Sequence, residues 1–220
     1  MSLHDDLSEL AQGARARRPA EVQAVIDTAL EDLRRSGIEE TCLRRGERAP
    51  DFSLSAAGGG TVSLQALLRA GPAVVVFYRG GWCPYCDLAL RALDAIVEPL
   101  RAFGASMVAI APQRIEEQRE TRDKHGLGYP LLADAGNRVA RLFRLAYPMP
   151  DRLVALYRSL GIDLAATNAS TGWELPLPAT YVVARDGIVA DAFVDLDYTR
   201  RAEPAAILAA ARRLAAAPAP

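Results

Sequence analysis

The chain has 220 residues, 50% of them hydrophobic and 24% charged, which is enough apolar material for a sizeable core and too little length for two large domains. Its 26 basic residues are balanced by 27 acidic ones, so no net field draws it to nucleic acid or to an anionic membrane, and neither is expected as a partner. No run approaches the roughly 20 uninterrupted apolar residues of a membrane span, Met1–Leu10 is acidic and unlike a signal peptide, and three cysteines make no disulfide framework, so a reducing cytoplasm is the expected compartment.

From Asp5 to Gly37 apolar residues recur at three- and four-residue steps (Leu7, Leu10, Ala14, then Val22, Val25, Ile26, Ala29, Leu30, Leu33), which predicts two helices, the second restarting at Pro19 and stopping at Gly37. Arg44–Pro50 reads as a charged linker and Gly58–Gly60 as a turn. Val74–Tyr78 is apolar, β-branched and aromatic, hence a buried strand, broken by Gly80-Gly81. A helix should follow with Leu90, Leu93, Ile96, Val97, Leu100 and Phe103 on one face. Met107–Ala111 is the next strand, Ile115–His125 a helix, Leu131–Ala133 extended and Arg138–Leu145 helical. Tyr147–Leu175 breaks the alternation: it holds Pro148 and Pro150, a helix-like Arg152–Leu160 and polar Thr167–Gly172, and reads as an insertion near the site. Thr180–Ala184 and Ile188–Val194 are strands joined by Asp186-Gly187, a hairpin signal, and an Ala-rich helix closes the chain over Pro204–Ala217. The pattern is α/β, with a mixed central sheet flanked by helices on both faces.

The residues that carry chemistry are Cys83 and Cys86, placed directly after a strand and a glycine turn, at the start of a helix. Residues three apart share a helix face with Cβ atoms about 5–6 Å apart, and small adjustments in the first turn bring that within disulfide reach. Pro84 suits a first helical position because no N–H is needed there. Free N–H groups and the positive dipole end favour a thiolate on the N-terminal cysteine, so Cys83 is expected as the low-pKa nucleophile and Cys86 as the resolving thiol. Zinc would need four ligands, and Cys42, His4 and His125 are too scattered to complete a set. No metal and no cofactor is expected, and Cys42 reads as a buried thiol.

The strand–turn–Trp82-Cys83-Pro84-Tyr85-Cys86–helix array resembles the thioredoxin-like superfamily. The flanking stretches Ala49–Phe52, Val75–Tyr78, Tyr129–Leu132 with Asp134, and Pro178–Val183 resemble its peroxiredoxin-like branch, the alkyl hydroperoxide reductase and thiol-specific antioxidant family. The resemblance spans about Arg48–Leu214. It implies a thioredoxin-like fold over residues 48–220, preceded by an N-terminal helical arm over 1–47 and carrying its insertion at about 147–175, before the last two strands. It also implies a cis Leu177–Pro178 bond facing the cysteines. The motif departs from the family in three places. Val76 and Gly80 stand where peroxiredoxins place Pro and Thr before the peroxidatic cysteine, and Pro178 stands at the place of their Arg. Phe77 stands where thioredoxins bury an Asp.

The expected function is therefore that of a thiol-dependent antioxidant oxidoreductase cycling between the Cys83-Cys86 dithiol and disulfide. It is expected to reduce disulfides at least as well as peroxides. Thioredoxin-dependent peroxide reduction, with Cys83 peroxidatic and Cys86 resolving, is the alternative enzyme reading, and a metal-binding or scaffold role is the non-enzyme one. The expected partners are a thiol electron donor such as a thioredoxin or small thiol, a disulfide or hydroperoxide substrate, and a second copy in a homodimer for which the Asp5–Leu33 helices could serve as arm. Arg79, Trp82, Pro84, Tyr85, Trp173, Leu177 and Pro178 are the candidates for shaping the substrate site. For Arg79 two readings stand side by side, a solvated strand-end cation and a cation beside the thiolate. For Trp173 they are a cover on the cysteine pair and packing of the insertion. Trp82 and Tyr85 read as rims of a groove.

Overall fold

Alternating side chains of one central strand set up both faces of the molecule. In strand β3 (Ala73–Phe77), Val74 and Val76 enter one apolar cluster while Ala73, Val75 and Phe77 enter another on the opposite face, as the two-residue period of a strand requires. All five are buried, so this strand can only lie in the middle of a sheet covered on both sides. The computed structural model describes residues 2–169 and 172–216.

The chain begins with α1 (Leu3–Arg17), α2 (Ala20–Arg35) and a single turn α3 (Ile38–Thr41), with Gly37 between the last two at φ +68°. A hairpin of β1 (Ser53–Ala56) and β2 (Thr61–Ser63) follows, then α4 (Leu64–Ala70), β3, α5 (Pro84–Asp94), α6 (Val97–Arg101), β4 (Ser106–Ala111), α7 (Ile115–His125) and β5 (Leu131–Ala133). A 3-10 turn leads into α8 (Arg138–Leu142), followed by β6 (Ala146–Pro148), α9 (Asp151–Ser159), α10 (Leu164–Thr167) and β7 (Glu174–Pro176). The chain then runs through β8 (Ala179–Val183) and β9 (Val189–Val194) to α11 (Pro204–Ala215).

Seven strands form one mixed sheet in the order β2-β1-β5-β4-β3-β8-β9. β3, β4 and β5 are parallel neighbours, and β8, β9, β1 and β2 run antiparallel to their partners. One face carries α1, α5, α6 and α11, and the other carries α4 and α8 together with Cys42 and Leu43. A third cluster joins Ala29 of α2 to Leu153 and Tyr157 of α9, with Met149, Leu164 and Leu175. Among the described residues no helix is long and apolar enough to cross a membrane.

The predicted helix through Phe103 is broken at Ala95-Ile96. Pro99 explains the break, because its ring would clash with the carbonyl four residues back and it has no N–H to give. Three short pairings went unpredicted: β1 with β2, β1 with β5, and β6 with β7, the last joining Ala146 to Pro176 across the insertion. The polar run expected over Thr167–Gly172 includes Ser170 and Thr171, which lie outside the described residues, as does Ala217 at the end of the predicted last helix. The expected cis bond at Leu177–Pro178 is corrected: among the described residues every peptide bond is trans. The chain runs extended from β7 into β8 there, with Leu177 N–H donating to the Leu145 carbonyl at 2.9 Å.

Candidate active site

β3 ends beneath a turn, Tyr78–Trp82, that only glycine can make. Gly80 has φ +148°, and a Cβ on it would lie 2.4 Å from Trp82 Nε1. A Cβ on Gly81 would lie 2.1 Å from Thr121 Oγ1 of α7. The Gly81 N–H donates to Gln113 Oε1 at 2.8 Å, which pins the turn to the segment following β4. Cys83 then serves as the N-cap of α5, with Pro84 at its first position. The N–H groups of Cys86 and Asp87 donate back to the Cys83 carbonyl at 2.9 and 3.0 Å. Both thiols are reduced and buried, with Cys83 1% and Cys86 0% exposed.

Two guanidinium groups flank this pair. Arg79 is 2% exposed, so the solvated reading is corrected. Its Nη1 lies 3.7 Å from Cys83 Sγ and its Nη2 donates to the Tyr157 hydroxyl. Aromatic faces surround it, with Trp82 at 4.9 Å and Tyr198 at 4.5 Å from the guanidinium carbon. Among the described residues no carboxylate pairs with it, and its Nε has no acceptor. Arg201, in the segment between β9 and α11, donates from Nη2 to Cys86 Sγ at 3.2 Å, while its Nη1 is held by the carbonyls of Tyr198 and Arg200, each at 2.6 Å. Sequence reasoning missed Arg201, and also Tyr157, Tyr198 and Gln113.

These contacts distribute charge differently from the expectation. A hydrogen bond to Cys86, followed by burial, pushes the Cys83 thiol well up. Burial also works against a Cys86 thiolate, but the hydrogen bond from Cys83 and then the charges of Arg201 and Arg79 outweigh it and hold Cys86 well below an ordinary thiol. The two sulfurs are hydrogen-bonded to each other and titrate as one unit. The direction therefore favours a thiolate at Cys86 over one at Cys83, through the hydrogen bond from Cys83 and then the guanidinium of Arg201. Burial likewise opposes the charge on Arg79, but Tyr157 and the thiols offset it and the guanidinium stays protonated.

The remaining candidates separate cleanly. Trp82 is half-buried and packs edge-on to Tyr157 at 5.7 Å. Tyr85, expected on a rim, is 4% exposed and packs edge-on to Tyr198 at 5.5 Å. Tyr85 nonetheless borders the cavity that reaches Cys83. Trp173 belongs to the insertion: its carbonyl accepts from Met149 N–H at 2.8 Å and its ring takes Arg158 at 5.0 Å. Leu177 and Pro178 are buried under β8 and do not border the cavity that reaches Cys83. That cavity, of about 770 Å³, is bordered by Arg79, Trp82, Cys83, Pro84, Tyr85 and Tyr157 at its inner end and by α2 and α9 on its sides. Cys42 lies away from it, and its thiol donates to the Ile38 and Arg144 carbonyls at 3.3 Å each. Among the described residues no three His, Cys, Asp or Glu side chains gather as a metal site.

A mixed sheet presenting two thiols where its central strand turns into a helix defines a thioredoxin-like fold of the peroxiredoxin type. That fold is shared with peroxidoxin BcpB from Mycobacterium tuberculosis, with a TM-score of 0.61 and 23% identity over 78% of this chain and 98% of the other. It is shared too with peroxiredoxin Q from Xanthomonas campestris, with a TM-score of 0.56 and 19% identity over 74% of this chain and 91% of the other. The chain belongs to the AhpC/TSA family, whose model matches residues 45–192. Among curated relatives it is 29% identical over 145 residues to chloroplastic peroxiredoxin Q from Oryza sativa subsp. japonica, which is 66% of this chain and 56% of that protein. It is also 29% identical over 145 residues to chloroplastic peroxiredoxin Q from Sedum lineare, 66% of each chain. The chain thus spans little more than half the length of the rice relative, and residues 1–44 lie outside the family match.

Proposed function

We propose that the protein is a thiol-dependent antioxidant oxidoreductase that reduces small hydroperoxides at Cys83 and stores the oxidising equivalent as a Cys83–Cys86 disulfide. The observation that carries this reading is a buried dithiol facing a cavity, held between two guanidinium groups of which Arg79 has no carboxylate partner. Cys83 borders the cavity and Cys86 does not, so Cys83 meets the substrate while the Cys86 thiolate accepts its proton. The Cys83 sulfur attacks the terminal peroxide oxygen, a sulfur–oxygen bond forms, the O–O bond breaks, and the leaving alkoxide takes a proton to become the alcohol. Cys86 then attacks the sulfenic acid, the disulfide forms and water leaves. A thiol donor, a thioredoxin or a small thiol of a reducing cytoplasm, returns two electrons and two protons. Arg79 and Arg201 stabilise the charge that passes between sulfur and oxygen, in place of the Thr and Arg that Gly80 and Pro178 have supplanted.

Disulfide reduction by the same pair is the second reading, favoured by the Cys-x-x-Cys spacing at a helix start. The burial of both sulfurs restricts it to small disulfides that fit the cavity. The test is stopped-flow oxidation by hydrogen peroxide beside reduction of insulin and of a small disulfide. Cys83→Ser should abolish turnover, and Cys86→Ser should react once, slowly, and stop at sulfenic acid. Turnover retained by Cys83→Ser, or insulin reduced faster than peroxide, would reject the reading.

A further inference from the structure

We propose that Tyr157 is the catalytic acid of the site: its hydroxyl hands a proton to the oxygen that leaves when Cys83 is oxidised. The inference rests on the peroxide reading above. Tyr157 belongs to α9, within the insertion. Its ring packs edge-on to Trp82 at 5.7 Å and joins the buried cluster that α9 shares with Ala29 of α2. It is 8% exposed and borders the cavity that reaches Cys83. Its oxygen accepts from Arg79 Nη2. With that lone pair engaged, its own proton points elsewhere, and among the described residues nothing accepts it. A buried donor without a partner is rare and costly. At the edge of a cavity, beside the reacting sulfur, a substrate oxygen would be the acceptor.

Arg79 sets the alignment. Its Nη1 lies 3.7 Å from Cys83 Sγ while its Nη2 meets Tyr157, so one edge of the guanidinium runs from the attacking sulfur to the hydroxyl. A peroxide attacked in line along that edge has its terminal oxygen at Cys83 and its leaving oxygen at Tyr157. The sulfur–oxygen bond forms, the O–O bond breaks, and the leaving oxygen takes the Tyr157 proton and departs as alcohol or water. The phenolate left behind faces the positive charge of Arg79, which has no carboxylate partner among the described residues. It then recovers the proton that Cys86 took from Cys83, so Cys86 is a thiolate again when it attacks the sulfenic acid. The sulfur has lost two electrons and the peroxide has gained them, and Tyr157 ends as it began. The other two tyrosines at Arg79 are less suited. Tyr198 turns its ring face to the guanidinium, 4.5 Å from the central carbon, and burial pushes the Tyr147 hydroxyl up to about 12.

A hydroxide or alkoxide is a strong base that needs a proton as it leaves, whereas a peroxyacid releases a carboxylate, whose conjugate acid has a pKa of about 4 and which needs none. The experiment measures second-order rate constants for Cys83 oxidation of the full chain by hydrogen peroxide and by peroxyacetic acid. General acid catalysis contributes about 10²–10⁴-fold, so Tyr157→Phe should slow oxidation by hydrogen peroxide by that factor and leave oxidation by peroxyacetic acid nearly unchanged. Tyr157→Gln keeps an acceptor for Arg79 but no proton acidic enough to transfer. It should show the same split, and it is the second variant should the first fail to fold. Equal losses with both oxidants would make Tyr157 a support for Arg79 and overturn the acid role. No loss with either oxidant, or the split appearing in Tyr147→Phe and not in Tyr157→Phe, overturns it too, and all three results leave the proposed function standing. A parent chain whose Cys83 is oxidised by hydrogen peroxide no faster than free cysteine overturns the proposed function, and the acid role with it.

Discussion

Arg201 reaches Cys86 from 115 positions away in the chain, and after the hydrogen bond from Cys83 its charge is the next influence that holds Cys86 below an ordinary thiol. A hydrogen bond between a charged donor and its acceptor contributes about 1.5–3 kcal/mol, and one pKa unit corresponds to about 1.4 kcal/mol. Arg201 is half-buried, so the lower end applies. Arg201→Met should raise the pH at which the pair first loses a proton by about one unit, and Arg201→Lys should recover part of the shift by keeping the charge without the fork. The sign follows from the contact: removing a cation destabilises the thiolate, so reactivity at neutral pH falls and returns at higher pH. The pH profile of alkylation of the pair measures it, and an unmoved midpoint would remove Arg201 from the site. Cys42 supplies the internal contrast. Burial first, then the charge of Glu39, pushes its thiol up to about 11, which leaves a thiolate fraction of about one in a thousand at pH 8. Mass spectrometry of briefly alkylated protein at pH 8 should find Cys42 essentially unlabelled, and labelling of Cys42 ahead of Cys83 would contradict that environment.

Legibility in the sequence differs from element to element for physical reasons. β3, β4, α7 and the β8–β9 hairpin are written locally, as apolar runs, a capped helix and an Asp-Gly turn, and the structure places them within a residue or two of expectation. Cys83, Pro84 and Cys86 were legible for the same reason, since strand, glycines and helix start adjoin them. β6 and β7 were not: each has three residues and exists only through pairing with the other, with partners 26 to 30 positions apart in the chain (Pro148–Glu174 to Ala146–Pro176), so no local period marks them. Tyr157, Tyr198 and Arg201 are ordinary residues until folding brings them onto Arg79 and the thiols. The Asp32–Arg152 pair between α2 and α9 belongs to this second kind. Both side chains are more than 40% exposed, and such pairs contribute at most about 1 kcal/mol. Asp32→Asn should therefore leave the melting transition nearly unchanged while loosening the cavity walls. A bulky maleimide should then label Cys83 several-fold faster than in the parent, with a small alkylating reagent less affected. Equal acceleration of both reagents would mean that the variant loosens the whole site rather than the two walls.

The N-terminal helices bear on how the molecule holds together as a whole. Leu3 and Leu7 of α1 are buried in the same cluster as Val74, Cys83, Cys86 and Leu90. The N–H groups of Leu3 and His4 donate to the Glu203 carboxylate at 3.3 and 2.6 Å, which ties the start of α1 to the start of α11, where an acidic side chain suits the free N–H groups. Ala29 of α2 is buried with Leu153 and Tyr157. Residues 1–44 lie outside the family match, yet α1 shares the buried cluster of the thiols and α2 walls the cavity, so the attachment of these helices should be cooperative with the sheet. Leu7→Ala tests this. Deleting most of a buried leucine side chain costs about 2–5 kcal/mol, the larger values where the surroundings cannot collapse into the space. If α1 shares the core, the whole loss appears in global unfolding, and helix content by far-ultraviolet dichroism and fluorescence of Trp82 and Trp173 fall together at a lower denaturant concentration. If α1 is only a docked arm, part of the helix signal melts early while tryptophan fluorescence holds at its parental midpoint. The thiols give a second readout, because detachment of α1 alone would uncover Cys86. Alkylation of Cys86 in Leu7→Ala under native conditions should rise only as far as the global loss of stability allows, and a rise well beyond that would show the arm opening by itself.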